Sequence, residues 1–119
     1  MSSIDRVLRA DALHFDLAEE EREATHPDTL ERDGRSSRTL LKEGPLRVTL
    51  IVLGPGGGIP EHEAQNPITL QALHGAVDVR VGEDTYRLVP GELLAIDGNV
   101  THHISSDDGA AFLLTVTHP

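Results

Sequence analysis

The chain has no cysteine. That excludes thiolate zinc sites, thiol catalysis and iron–sulfur clusters, and it fits a reducing compartment. Aromatic residues are nearly as scarce, with two Phe, one Tyr and no Trp. Little remains on which bases or sugar rings could stack. Basic residues are outnumbered: 10 Lys and Arg stand against 20 Asp and Glu, for a formal net charge of -10. Phosphate-rich partners would be repelled, so neither nucleic acid nor an anionic membrane is an expected partner. The excess charge reads as a solubility device. No apolar run approaches the ~20 residues of a membrane span, and the opening MSSIDRVLRA lacks the apolar stretch of a secretory signal. The expectation is a soluble, cytoplasmic protein. Its 119 residues suit one domain, large enough to bury a core without disulfides.

What is present divides the chain in two. Residues 1–38 read as an extension with a short acidic helix in DLAEEEREA. Asp16 is placed to cap that helix, Glu19 completes a capping-box pattern, and His26-Pro27 ends it. The following DTLERDGRSSR is polar and reads as loop. From about Thr39 to residue 119 the pattern is β. RTLLK and LRVTLIVL flank Glu43-Gly44-Pro45, and ITLQALH and AVDVRV flank Gly75. Val81 to Thr85 reads as a tight hairpin. Pro90-Gly91 and Asp97-Gly98-Asn99 are turns around ELLAI, before VTHHIS and AFLLTVT. About eight short strands with turns between them indicate an all-β sandwich or closed barrel. The run Gly56-Gly57-Gly58 is followed by no Lys-Ser/Thr and no helix pattern, so it reads as a turn and not as a phosphate loop.

Two histidines stand out, His62 in GGGIPEHEAQNPITLQALHG and His102 in PGELLAIDGNVTHH. The segment from Gly57 to Thr117 resembles the small single-domain cupins. Their first motif runs G-x5-H-x-H-x3-4-E-x6-G and their second G-x5-P-x-G-x2-H-x3-N. His62 falls on the first histidine and Gly75 on the closing glycine of the first motif. Ala64 holds the second histidine position and Ile68 the glutamate position. Gly91 opens the second motif and His102 is its histidine; Asp97 replaces the proline, and the glycine falls on Asn99 or is displaced to Gly98. The resemblance implies a double-stranded β-helix, the jelly-roll cupin barrel, preceded by the short helical segment. Members with an intact motif hold one divalent metal with three histidines and a glutamate, and use it for dioxygenase, isomerase or epimerase chemistry.

Strand alternation gives an independent reading of the same residues. Ile68, Leu70 and Ala72 share one face, while Thr69, Gln71 and Leu73 share the other. His102 and Ile104 point inward and His103 outward. On the matched cupin barrel the face of Ile68 turns inward with His62 and Ala64, so the resemblance implies His62, Ala64, Ile68, Leu70, His102 and Ile104 as the lining of a ligand pocket. His62 and His102 are also the candidate metal ligands, for Fe, Mn, Zn, Ni or Cu. A third ligand would have to come from Glu61, Glu63, Gln65 or Gln71. Alternatively the two rings are cavity histidines bonded to each other, to water or to backbone. No catalytic residue is assigned. The first functional reading is a cupin that binds a small molecule without full metal chemistry. The second is a metal-dependent enzyme of dioxygenase or isomerase type with a reduced ligand set. A homodimer is also expected, because LRVTLIVL is apolar on both faces and one face could lie in an interface.

Overall fold

A computed structural model describes residues 11–117. The first ten residues, and with them MSSIDRVLRA, lie outside the described residues, as does His118. Two short helices come first, α1 (Leu17–Ala24) and α2 (Pro27–Asp33). Asp16 caps α1 as its side chain predicts, with Oδ1 accepting from the amides of Ala18 at 3.1 Å and Glu19 at 3.4 Å. The Glu19 carboxylate pairs with Arg22 one turn on. The polar stretch read as loop contains α2 instead. Pro27 sits at its start, where a missing N–H costs nothing, and Gly34 ends it with φ 76°.

Nine strands follow: β1 (Arg35–Glu43), β2 (Leu46–Leu53), β3 (Gly58–His62), β4 (Ile68–Gly75), β5 (Val77–Val81), β6 (Asp84–Leu88), β7 (Leu93–Ile96), β8 (His102–Ser105) and β9 (Ala110–Thr117). The strand signal read from Thr39 begins four residues earlier, so the expected boundary at residue 38 falls inside β1. All pairings are antiparallel. One sheet has the order β1-β2-β9-β4-β7 and the other β3-β8-β5-β6. Their inner faces enclose a cluster that includes Ile51, Leu53, Leu70, Val79, Ile104 and Phe112. This is the jelly-roll arrangement. Among the described residues no helix is long and apolar enough to cross a membrane.

The second apolar face of β2 is not left bare. Leu50 and Val52 point away from the barrel interior and join Leu40, Ala111 and Ala24, against which Phe15, Leu17 and Leu30 pack. The N-terminal helices thus cover the face that the sequence offered to a second copy. Arg38 on β1 clamps α1 through Glu20 at 2.9 Å, both side chains largely buried.

The glycine run has a packing reason. A Cβ on Gly57 would overlap the carbonyl oxygen of Gly34. The amide of Gly54 also donates to that oxygen at 3.0 Å, and Ser106 donates its amide to Gly57 O at 3.1 Å. The run therefore pins the start of β3 between the end of α2 and the end of β8. Gly82 serves differently: with φ 62° it turns the tight β5–β6 hairpin.

Candidate functional site

His62 ends β3 and His102 opens β8, and the two are cross-strand partners. Residues directly opposite on antiparallel strands share a face, so both rings lie on the inner side of their sheet. The ladder shifts register between Ile59 and His62, and that irregularity sets His62 opposite His102. The rings meet edge to face with centroids 4.2 Å apart. Their Nε2 atoms are 3.0 Å apart. The His102 side is buried, at 2% exposure, whereas His62 is exposed.

The far sides of the two rings decide what the pair can hold. His62 Nδ1 lies 3.1 Å from the carbonyl of Pro60, and His102 Nδ1 lies 3.1 Å from the carbonyl of Val100. A carbonyl only accepts, so each Nδ1 is assigned the hydrogen. Two Nε2 lone pairs then face each other, and a positive charge must sit between them. A proton satisfies this, with His62 donating to a neutral His102. A divalent metal satisfies it as well. With metal–nitrogen bonds of about 2.1 Å, the 3.0 Å separation corresponds to two ligands at an angle of about 90°.

The buried member of the pair resists protonation. Burial pushes the His102 pKa below its ordinary value. The hydrogen bond to the Val100 carbonyl opposes that shift, and the nearby His62 adds to it. The unfolded chain therefore takes up a proton that folded His102 refuses. Stability from this group is fully present above the ordinary histidine value of about 6.5 and is lost as pH falls below it. Denaturant midpoints are expected to drop between pH 7.5 and 5.5, with a contribution of at most about 1.4 kcal/mol per pH unit from this one proton. His102→Leu should flatten that part of the profile.

The other expected site residues fall around the pair in different ways. Ala64 is half-buried and packs on the core, while Ile68, Leu70 and Ile104 are core side chains with at most 4% exposure. The barrel interior here is filled by apolar packing, so of the six only the His62 ring is exposed. The candidate third ligands turn elsewhere. Glu61 pairs with Arg80 at 3.0 Å, and Glu63 accepts from Thr101 at 3.4 Å. Gln65 lies exposed in the loop before β4, and Gln71 is on the opposite face of β4 from Leu70. Among the described residues no group of three His, Cys, Asp or Glu could hold a metal. A four-ligand centre does not fit these residues, and a two-histidine site does. His74 binds Glu21 at 2.8 Å. The sequence reading of rings bonded to each other or to backbone matches these contacts, but it did not say which carbonyls. Each is supplied by the residue two before its histidine, and only the folded backbone shows that they turn toward the ring.

The solved structures place this architecture. A conserved protein of unknown function from Streptococcus pyogenes superposes with a TM-score of 0.74 at 23% identity, over 100% of this chain and 96% of that one. A cupin superfamily protein from Desulfitobacterium hafniense gives 0.69 at 18% identity, over 71% and 78%. The fold is that of a cupin. A sugar phosphate isomerase from a cupin superfamily, from Silicibacter pomeroyi, is similar to this cupin barrel at 25% identity and a TM-score of 0.62, over 76% of this chain and 63% of that one. No protein-family model and no curated protein matches the sequence. The cupin fold hosts varied activities and selects none of them.

Proposed function

We propose that this cupin binds a small molecule at the mouth of its barrel, with His62 and His102 as the polar contact and without a complete metal centre. The observation that carries this reading is the 3.0 Å approach of two Nε2 atoms whose Nδ1 partners are both carbonyls. With one proton the pair is cationic, and its His62 member is open to solvent. A carboxylate or phosphate group of a ligand would be drawn to that positive charge, since the ring N–H groups themselves are engaged by Pro60, Val100 and each other. Ala64 and Val100, half-buried against the core beside the pair, offer apolar contact to the rest of the molecule. A binding or sensing role needs no more than this.

The second reading is a metal-dependent enzyme of isomerase or dioxygenase type. Two features favour it: the right-angle fit of both imidazoles to one ion, and the likeness to a structure described as a sugar phosphate isomerase. A bound ion would supply Lewis acidity, while the chain would contribute the two Nε2 donors and their fixed orientation. Ala64 and Ile68 stand where further ligands would be needed.

Native mass spectrometry of untagged protein, paired with elemental analysis, separates the two. A copurifying organic molecule without metal is the expected result. A stoichiometric transition metal, lost in His62→Ala, would favour the second reading. A bare protein that gains no thermal stability from any of a broad set of small acids would defeat the first.

A further inference from the structure

The two sheets do not pair along one side, where β1 and β3 are both edge strands. At this seam lies an open-sided cavity of about 600 Å³. Neither His62 nor His102 lines it, so it is separate from the histidine pair. Its floor is apolar, from Ile51 of β2 and Ile59 of β3. Its walls are polar and come from the N-terminal segment: Thr29 and Asp33 of α2, and Arg35 and Ser37 of β1.

The wall breaks the rule of the fold. Register pairs Arg35 with Leu53 and Ser37 with Ile51, both residues of the barrel core. Cross-strand partners share a face, so Arg35 and Ser37 occupy inward positions where the neighbouring strand has leucine and isoleucine. A sheet edge that served packing alone would be apolar at these positions. Arg35 is also paired unlike its neighbours. Arg32, Arg38, Arg80 and Arg87 each hold a carboxylate. Arg35 instead reaches across the seam and donates through Nη1 to the Gly58 carbonyl at 3.0 Å. That bond fixes the guanidinium and uses one of its several N–H donors.

The acidic wall offsets this charge only in part. Asp33 is gripped by Arg32, through Nε to Oδ1 at 3.1 Å and Nη2 to Oδ2 at 3.2 Å. The hydrogen bond from Arg32 holds the Asp33 carboxyl below its ordinary pKa, and the nearby Arg35 charge adds to this, so Asp33 stays an acceptor. A fixed guanidinium, hydroxyls, a neutralised carboxylate acceptor and an apolar floor together define a ligand type.

We propose that the seam cavity is a second binding site, for a small hydroxylated organic anion. Its carboxylate or phosphate pairs with Arg35. Its hydroxyls meet Thr29, Ser37 and Asp33, and its carbon skeleton lies on Ile51 and Ile59.

The test is a nuclear magnetic resonance titration of the full chain with gluconate, with glycerol 3-phosphate and with neutral glycerol. One or both anions should give saturable shifts in the amides of residues 28–37 and the methyls of Ile51 and Ile59, and glycerol should give none. The better anion identifies carboxylate or phosphate as the preferred head. Arg35→Met should weaken that binding at least tenfold. Arg35→Lys, which keeps the charge and loses the fork, should weaken it less and confirm an intact fold by its spectrum. His62→Ala should leave it unchanged, which keeps this site distinct from the histidine pair. The proposal is overturned if no anion gives a saturable shift at the seam, if binding survives Arg35→Met, or if the shifts centre on His62 and His102.

Discussion

Truncating Phe112 to alanine is expected to cost about 3–5 kcal/mol of folding stability, the usual loss for a buried aromatic that leaves a cavity. Domains of this kind have about 5–15 kcal/mol in total, so the variant should sit near its unfolding threshold. The reason lies in the position. Phe112 is fully buried on β9, the central strand of the five-stranded sheet, flanked by Ile51 and Ala72 on its neighbours. In a chain with so few aromatics no second ring stands by to fill the space. Phe112→Leu keeps most of the volume and should cost less than about 1.5 kcal/mol. Urea denaturation of the two variants beside the parent checks both values, and equal losses would mean that volume at this position does not control stability.

The second large effect concerns His62. Added nickel or zinc should bind the histidine pair weakly, and His62→Ala should reduce that affinity at least about tenfold, or about 1.4 kcal/mol, because one of the two Nε2 donors is gone. His62 is exposed, so the fold should survive its loss. The more obvious variant, His102→Ala, removes a buried ring hydrogen-bonded to Val100 and mixes stability with binding. Titration calorimetry on untagged parent and His62→Ala protein is the measurement. Unchanged affinity in the variant would mean that the metal binds elsewhere.

Where side chains alternate against a core, the sequence revealed the structure. Ile68, Leu70 and Ala72 face the barrel interior while Leu73 joins the outer cluster, and His102 and Ile104 are buried with His103 between them. These strands obey a period of two because one face is dry. The start of β1 was not legible for the opposite reason. Its inward positions hold Arg35 and Ser37, which face a cavity instead of packed carbon, so the apolar half of the alternation is missing. Helix α2 has seven residues and gives the apolar clusters only Leu30, too little to show a helical period. The face of Leu50 and Val52 was visible as apolar, but its cover was not. Whether such a face meets a second copy or the chain's own helices depends on contacts between distant segments. The same holds for His62 and His102: the motif brings them into one site, but the orientation of the rings comes from two carbonyls and a register shift.

β9 carries alternate side chains into two compartments. Ala110 and Phe112 enter the barrel, and Ala111 and Leu113 enter the layer beneath the N-terminal helices. A strand common to both couples barrel and helical layer, so loss of order in one strips packing from the other. Whatever occupies the histidine mouth or the seam therefore draws on the same unfolding equilibrium. A ligand at either place is expected to raise the stability of the fold that both share.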